Sequence, residues 1–228
     1  MTSSDALRTA RCWLTRLPVR PEHLDDVLAG LGSLAATDDV RSMDVVTVYL
    51  DRDDPNSLWL HEVHGLPSDD VREFGDDDIT RMLAAVPTQE GLRPVRETYP
   101  GRNLDGPVHA GSVVILARLT ALPGQRDRAL EALEPFMLVA DDEPGTEIFT
   151  VYESLDEPDV IWMHEVYADD TAFRIHAASP QHKTLRESEV LTGGPTLSSV
   201  LAGRPKNWRL TPQLQRRCGE PVRWFGGD

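Results

Sequence analysis

The sequence has almost no cysteine, and its two copies, Cys12 and Cys218, stand near opposite ends without any CxxC or metal-type spacing. A disulfide scaffold and a cysteine zinc site are thereby disfavoured, and two free thiols are expected in a reducing compartment. Basic residues are scarce too, with 23 Lys and Arg against 38 Asp and Glu, for a formal net charge of −15. Nucleic acid and anionic membrane surfaces are poor partners for such a chain, because binding phosphate needs clustered Lys and Arg. No window approaches the roughly 20 apolar residues of a membrane span, and the first residues hold no signal-peptide stretch, so a cytoplasmic protein is expected. HExxH, P-loop and dinucleotide fingerprints are lacking. His61-Glu62-Val63-His64 has the wrong spacing for a zinc helix.

What is present is a repeat. TVYLDRDDPNSLWLHEV (Thr47 to Val63) returns as TVYESLDEPDVIWMHEV (Thr150 to Val166), and one offset of 103 residues relates Tyr49 to Tyr152, Trp59 to Trp162, His61 to His164 and Glu62 to Glu165 without a gap. The period far exceeds the roughly 20 to 50 residues of a solenoid, so two copies of a small domain are predicted. The expected division is residues 8–100 for a first, degenerate copy, 101–110 for a linker, 111–203 for a better-preserved copy, and 204–228 for a basic, aromatic tail packed on the acidic body.

The second copy reads as a strand over Ser112 to Thr120 and a helix from Gln125 to Ala140 that Pro135 should end or bend. A Glu143-Pro144-Gly145 turn follows, then a hairpin of Glu147 to Ser154 and Val160 to Tyr167. A second helix begins at Asp169-Asp170-Thr171 and is interrupted at Ser179-Pro180, with a further helical stretch to about Glu189 and a last strand from Thr196 to Leu201. The first copy repeats this less faithfully: Cys12 to Leu17, a helix from Glu22 to Ala36, strands Asp44 to Leu50 and Leu58 to His64, and a last strand near Leu92 to Thr98. The order β-α-β-β-α-β is the ferredoxin-like arrangement. Both strand faces are apolar, so the fold class is α+β, two ferredoxin-like repeats fused into a pseudo-dimeric α+β barrel.

The EPGT turn (Glu143 to Thr146), the strand end WMHEVY (Trp162 to Tyr167) and the helix AFRIHAASPQHKTL (Ala172 to Leu185) together resemble the antibiotic biosynthesis monooxygenase family over about Gly111 to Leu201. The resemblance implies a dimeric α+β barrel with a small-molecule cavity between each sheet and its helices. It also implies relatives that oxidise polyketide anthrones to quinones without metal, flavin or haem, and others that act on quinols, degrade haem or isomerise small sugars. The anthrone oxygenases line their pocket with an Asn and a Trp on the third strand, a Tyr on the next helix and an Arg beyond. Those places correspond here to Met163, Tyr167, Phe173 and Arg186, of which only the arginine matches. The asparagine of the haem-degrading branch falls near Ala117, against that branch.

The expected activity is a cofactor-independent monooxygenase on a small phenolic, anthrone or quinol-like substrate, with O2 as the second substrate and no bound cofactor or metal. The alternatives are an isomerase or cyclase on the same fold, and a non-catalytic binding protein; further association into a homodimer is left open. His176 is the candidate base, since an imidazole titrates in the useful range, with helix capping or core packing as the competing reading. Arg186 is the candidate holder of the developing anion, against a surface ion pair with Glu187 or Glu189, and Tyr167 is the third catalytic candidate. Expected substrate contacts are Trp162, Met163, His164, Phe173 and His182, with His61 and Trp59 from the first copy. His61 and His164 compete with a structural reading, and a dyad of His164 with Glu165 is disfavoured because neighbouring side chains face opposite ways along a strand.

Overall fold

A computed structural model describes residues 11–36, 45–64, 78–95, 108–140, 142–180, 197–217 and 220–225. The chain divides into two compact units, one of Met1–Arg93 with Arg209–Asp228 and one of Pro94–Trp208.

The first unit runs β1 (Arg11–Pro18), α1 (Leu24–Ala36), β2 (Val45–Asp51), β3 (Ser57–His64), the single turn α2 (Asp78–Arg81) and β4 (Thr88–Pro94). Its antiparallel strands lie in the order β4-β1-β3-β2, with β1 between β3 and β4. This is the ferredoxin-like order, and it follows from two β-α-β crossovers on one sheet face. The helix α1 buries Val27, Leu31 and Ala35, one stripe at intervals of four, against Leu17, Val46, Val48, Leu58 and Leu60 of the sheet. Ile79 and Leu83 close the same core.

The second unit repeats the plan as β5 (Val113–Thr120), α3 (Arg126–Ala140), β6 (Thr146–Ser154), β7 (Val160–Tyr167) and α4 (Asp170–Ala177). Strand β7 pairs antiparallel with both β5 and β6. All eight residues of β7 are buried, as are all eight of β3, so neither face of these strands meets solvent. The Asp169 carboxylate accepts from the Thr171 and Ala172 amides at 2.8 Å each and starts α4 as the sequence predicts. Gly145, at φ 79, makes the left-handed turn before β6, and its carbonyl accepts from the Ala168 amide at 2.8 Å.

Helix α3 reaches Ala140, its expected end, and Pro135 does not stop it; Leu133 before the proline and Phe136, Met137 and Ala140 after it enter one core, and that burial holds the helix across the missing amide. Two expectations are corrected. Thr196 to Leu201 is no strand. Residues Leu197–Val200 form a short helix, α5, because Leu197 and Val200, three apart, are the buried pair. Residues 204–228 are no tail appended by charge. Lys206–Arg217 is a strand, β8, and its part from Leu210 to Arg217 pairs antiparallel with β2, driven by alternate burial of Leu210, Pro212 and Leu214. Pro212 falls where the register slips, the place in a ladder that tolerates a missing amide. A two-residue strand, β9 (Arg223–Trp224), adds to β8.

The first unit's last strand falls at Thr88–Pro94, before its expected place. Asp38-Asp39, Asp69-Asp70, Cys218 and the helical stretch from 181 to 189 lie outside the described residues. Among the described residues no helix is long and apolar enough to cross a membrane.

Candidate functional site

Strand pairing decides which predicted residues can meet. In the second unit, Met163 lies between Ala117 and Val151, and Glu165 between Ile115 and Phe149, on the sheet face that α3 covers. Trp162 and His164 alternate to the other face, opposite Tyr152 and Thr150. There the Trp162 ring stacks on Trp208, with centroids 5.4 Å apart. In the first unit, Trp59 and His61 lie opposite Tyr49 and Thr47, the same pairs in the same register. Trp59 Nε1 donates to Asp51 at 3.5 Å, and burial lowers His61 to about 4.

On the helix-covered face of the second unit is a cavity of about 360 Å³. Ala117, Leu119 and Met163 of the sheet, Leu133 and Phe136 of α3, and Leu197 and Leu201 around α5 form its apolar wall. Its volume lies within the usual small-molecule range of roughly 300 to 1,000 Å³. Three polar side chains interrupt the wall. Glu165 is buried, whereas Arg204 and Asn207 are exposed and so stand at the mouth.

Behind Glu165 lies a buried polar network. The Tyr167 hydroxyl donates to Glu165 Oε2 at 2.7 Å, reaching across one intervening residue on the same strand face. His176 Nδ1 meets Glu143 Oε2 at 2.5 Å, and the Thr146 hydroxyl donates to that same oxygen at 3.4 Å. A carboxylate oxygen accepts, so in this contact the imidazole Nδ1–H is the donor. The imidazole packs against Tyr167, at 5.1 Å between centroids, and against Phe149 at 5.4 Å. Phe173 meets the Tyr167 ring edge-on at 5.5 Å.

Burial pushes the Glu165 carboxyl above its ordinary value, opposed by the nearby His176 charge and the Tyr167 hydrogen bond, with Glu143 pushing upward. Burial and the neighbouring Glu165 drive the Tyr167 phenol well above its usual range. The cavity thus presents one carboxyl that resists charge, fixed at one oxygen by a tyrosine that stays protonated. Such a group suits proton abstraction in a dry pocket.

Of the predicted site residues, Met163 lines the cavity, Tyr167 is bonded to a cavity-lining group, and Phe173 and His176 pack behind it. Trp162 and His164 are on the opposite sheet face, Trp59 and His61 belong to the first unit, and Arg186 and His182 lie outside the described residues. Glu165, Glu143 and Arg204 were missed. The alternation rule that set His164 apart from Glu165 also places Glu165 with Met163 and Tyr167, and that signal was available. Glu143 was read only as part of a turn, and its bond to His176 spans 33 residues. Among the described residues no group of three or more His, Cys, Asp or Glu is placed to hold a metal ion.

Residues 112–188 match the family described as antibiotic biosynthesis monooxygenase. No curated protein sequence matches the chain. Among solved structures, the chain is similar to a protein from Lactobacillus acidophilus provisionally described as a monooxygenase, with TM-score 0.68 and 16% identity over 94% of this chain and 99% of the other. One from Fusobacterium nucleatum, provisionally described likewise, gives TM-score 0.73 at 10% identity over 95% and 98%. An anthrone oxidase-like protein gives 0.66 at 13% identity over 95% and 96%. At these identities the likeness is one of fold, and it extends over both units.

Proposed function

We propose, from the premise that residues 112–188 are an antibiotic biosynthesis monooxygenase domain, that this chain oxygenates a small phenolic, anthrone or quinol-like molecule without a bound cofactor. The observation that carries the reading is the apolar cavity with a single buried carboxyl, Glu165, braced by Tyr167. The anthrone oxidase-like neighbour adds support for the substrate class.

Glu165 takes a proton from the activated carbon or hydroxyl of the substrate. The resulting electron-rich anion passes an electron to O2, and the two radicals combine as a hydroperoxide. Loss of water then leaves the carbonyl. For a methylene centre the balance closes with one methylene and one dioxygen giving one carbonyl and one water, with the substrate as the reductant and the Glu165 proton returned to the departing oxygen. The water-poor wall favours charge shift over protonation by solvent. His176, held by Glu143, acts as a positioning residue: its ring packs on Tyr167, whose hydroxyl is bonded to Glu165. Where Arg186 meets the substrate, it would hold the developing anion.

The test is oxygen uptake by protein treated with EDTA, against a panel of anthrones, naphthols and quinols. Uptake that disappears in Glu165→Gln supports the reading. Product formed equally well without oxygen points to an isomerase or cyclase, and binding without turnover of any panel member points to a binding protein.

A further inference from the structure

The cavity mouth carries information that the catalytic face does not. Arg204 and Asn207 are its polar side chains, and both lie beyond the matched domain residues. Several arginines of this acidic chain find carboxylates, such as Arg16 with Asp54, Arg118 with Glu157, Arg126 with Glu153 and Arg217 with Glu220. Among the described residues Arg204 forms no such pair, although acidic residues outnumber basic ones by 38 to 23. Its backbone is restrained as well. Pro205 follows it and disfavours helical geometry at Arg204. The segment just before is pinned to the end of β5 by the Ala202 amide on the Thr120 carbonyl at 2.8 Å and by the bridge of Leu201 with Ala121. The guanidinium therefore stands on a fixed base at the rim of an apolar hole.

We propose that Arg204, assisted by the Asn207 amide, selects a substrate that carries an anionic group, a carboxylate for choice, on an aromatic body, an inference that rests on reading this cavity as the substrate site. The aromatic part enters between Phe136, Met163 and Leu197, and the charge stays at the mouth. The reverse orientation would set the anion against Glu165, a second acid in a dry wall, which is costly. A planar guanidinium suits a carboxylate through two parallel hydrogen bonds, whereas a neutral ring gains nothing from it.

The experiment compares 1-naphthol with 1-hydroxy-2-naphthoate, which share the ring and hydroxyl and differ in the carboxylate, by titration calorimetry without oxygen. The wild type is expected to bind the naphthoate about fivefold to tenfold more tightly, a modest factor because the arginine is exposed. Arg204→Gln should bring the two ligands to within about twofold by weakening the naphthoate alone, and Arg204→Lys should retain part of the preference. Equal affinity in the wild type, a preference that survives Arg204→Gln, or no binding of either ligand overturns the proposal. Oxygen uptake is scored separately: selectivity without uptake sinks the oxygenase reading alone, and uptake without selectivity sinks this inference alone.

Discussion

The two units share a sheet and differ in what lies over it. Tyr opposite Trp and Thr opposite His recur in both hairpins in identical register, as Tyr49 with Trp59 and Thr47 with His61, then as Tyr152 with Trp162 and Thr150 with His164. On the helix-covered face the likeness stops. The first unit sets Leu60, fully buried, where the second has Met163 at a cavity wall, and it packs Ile79 and Leu83 onto the sheet. Glu62, the counterpart of Glu165, lies between Trp13 and Val46 rather than Ile115 and Phe149. A duplicated sheet thus carries a fully buried leucine at Leu60 in one unit and a cavity-lining methionine at Met163 in the other. Strand pairing tolerates many side chains, whereas a cavity persists only where the residues above it leave space.

The largest expected difference between the units is catalytic. Glu165→Gln should lower kcat by about 10²- to 10⁴-fold, the usual contribution of a general base, while Glu62→Gln leaves kcat within about twofold in steady-state assays of folded protein. Equal losses would place the chemistry in both units. The same substitution has a thermal signature. A carboxyl raised by burial binds its proton more tightly in the native state, so its stabilising effect is complete below the ordinary Glu range and is lost as pH rises through the raised value. Glu165→Gln should therefore melt higher than the wild type at pH 8 and show no such advantage at pH 4.

Next comes packing. Leu60→Ala opens a void within a cluster of buried side chains and should cost about 3 to 5 kcal/mol by urea denaturation, whereas Met163→Ala widens an existing cavity and should cost less than half as much. A reversed order would mean that the second unit's wall is the tighter one.

The smallest effect concerns His61. Its native value of about 4 lies below the 6.5 of the unfolded chain, so its contribution is complete above pH 6.5 and is lost as pH falls toward 4. The whole span is on the order of 3 kcal/mol. His61→Gln should flatten the acid limb of the stability profile over that window, and an unchanged limb would show that the ring is not desolvated.

How much was legible is clearest at Glu165 and Arg204. Alternation along β7 was enough to put Glu165 on one face with Met163 and Tyr167, but not to say which face held a cavity. That depended on how far Leu133, Phe136 and Leu197 stand from the strand, a matter of packing between distant segments. Arg204 sat in a stretch read as a tail by its charge, although Leu210, Pro212 and Leu214 already alternated as a strand does. Asp169 as a helix cap was correct because capping is local and needs only three residues.

By itself the sequence determined the duplication, the α+β character of each unit, the hairpins and the second unit's match to a known family model, since periodicity, turn residues and caps act over a few neighbours. Tertiary structure alone decided that Glu143 meets His176, that Glu165 and Arg204 share one cavity, and that residues 209–217 extend the first unit's sheet. These contacts join segments far apart in the chain, and their energies depend on burial and on partners that no local pattern encodes.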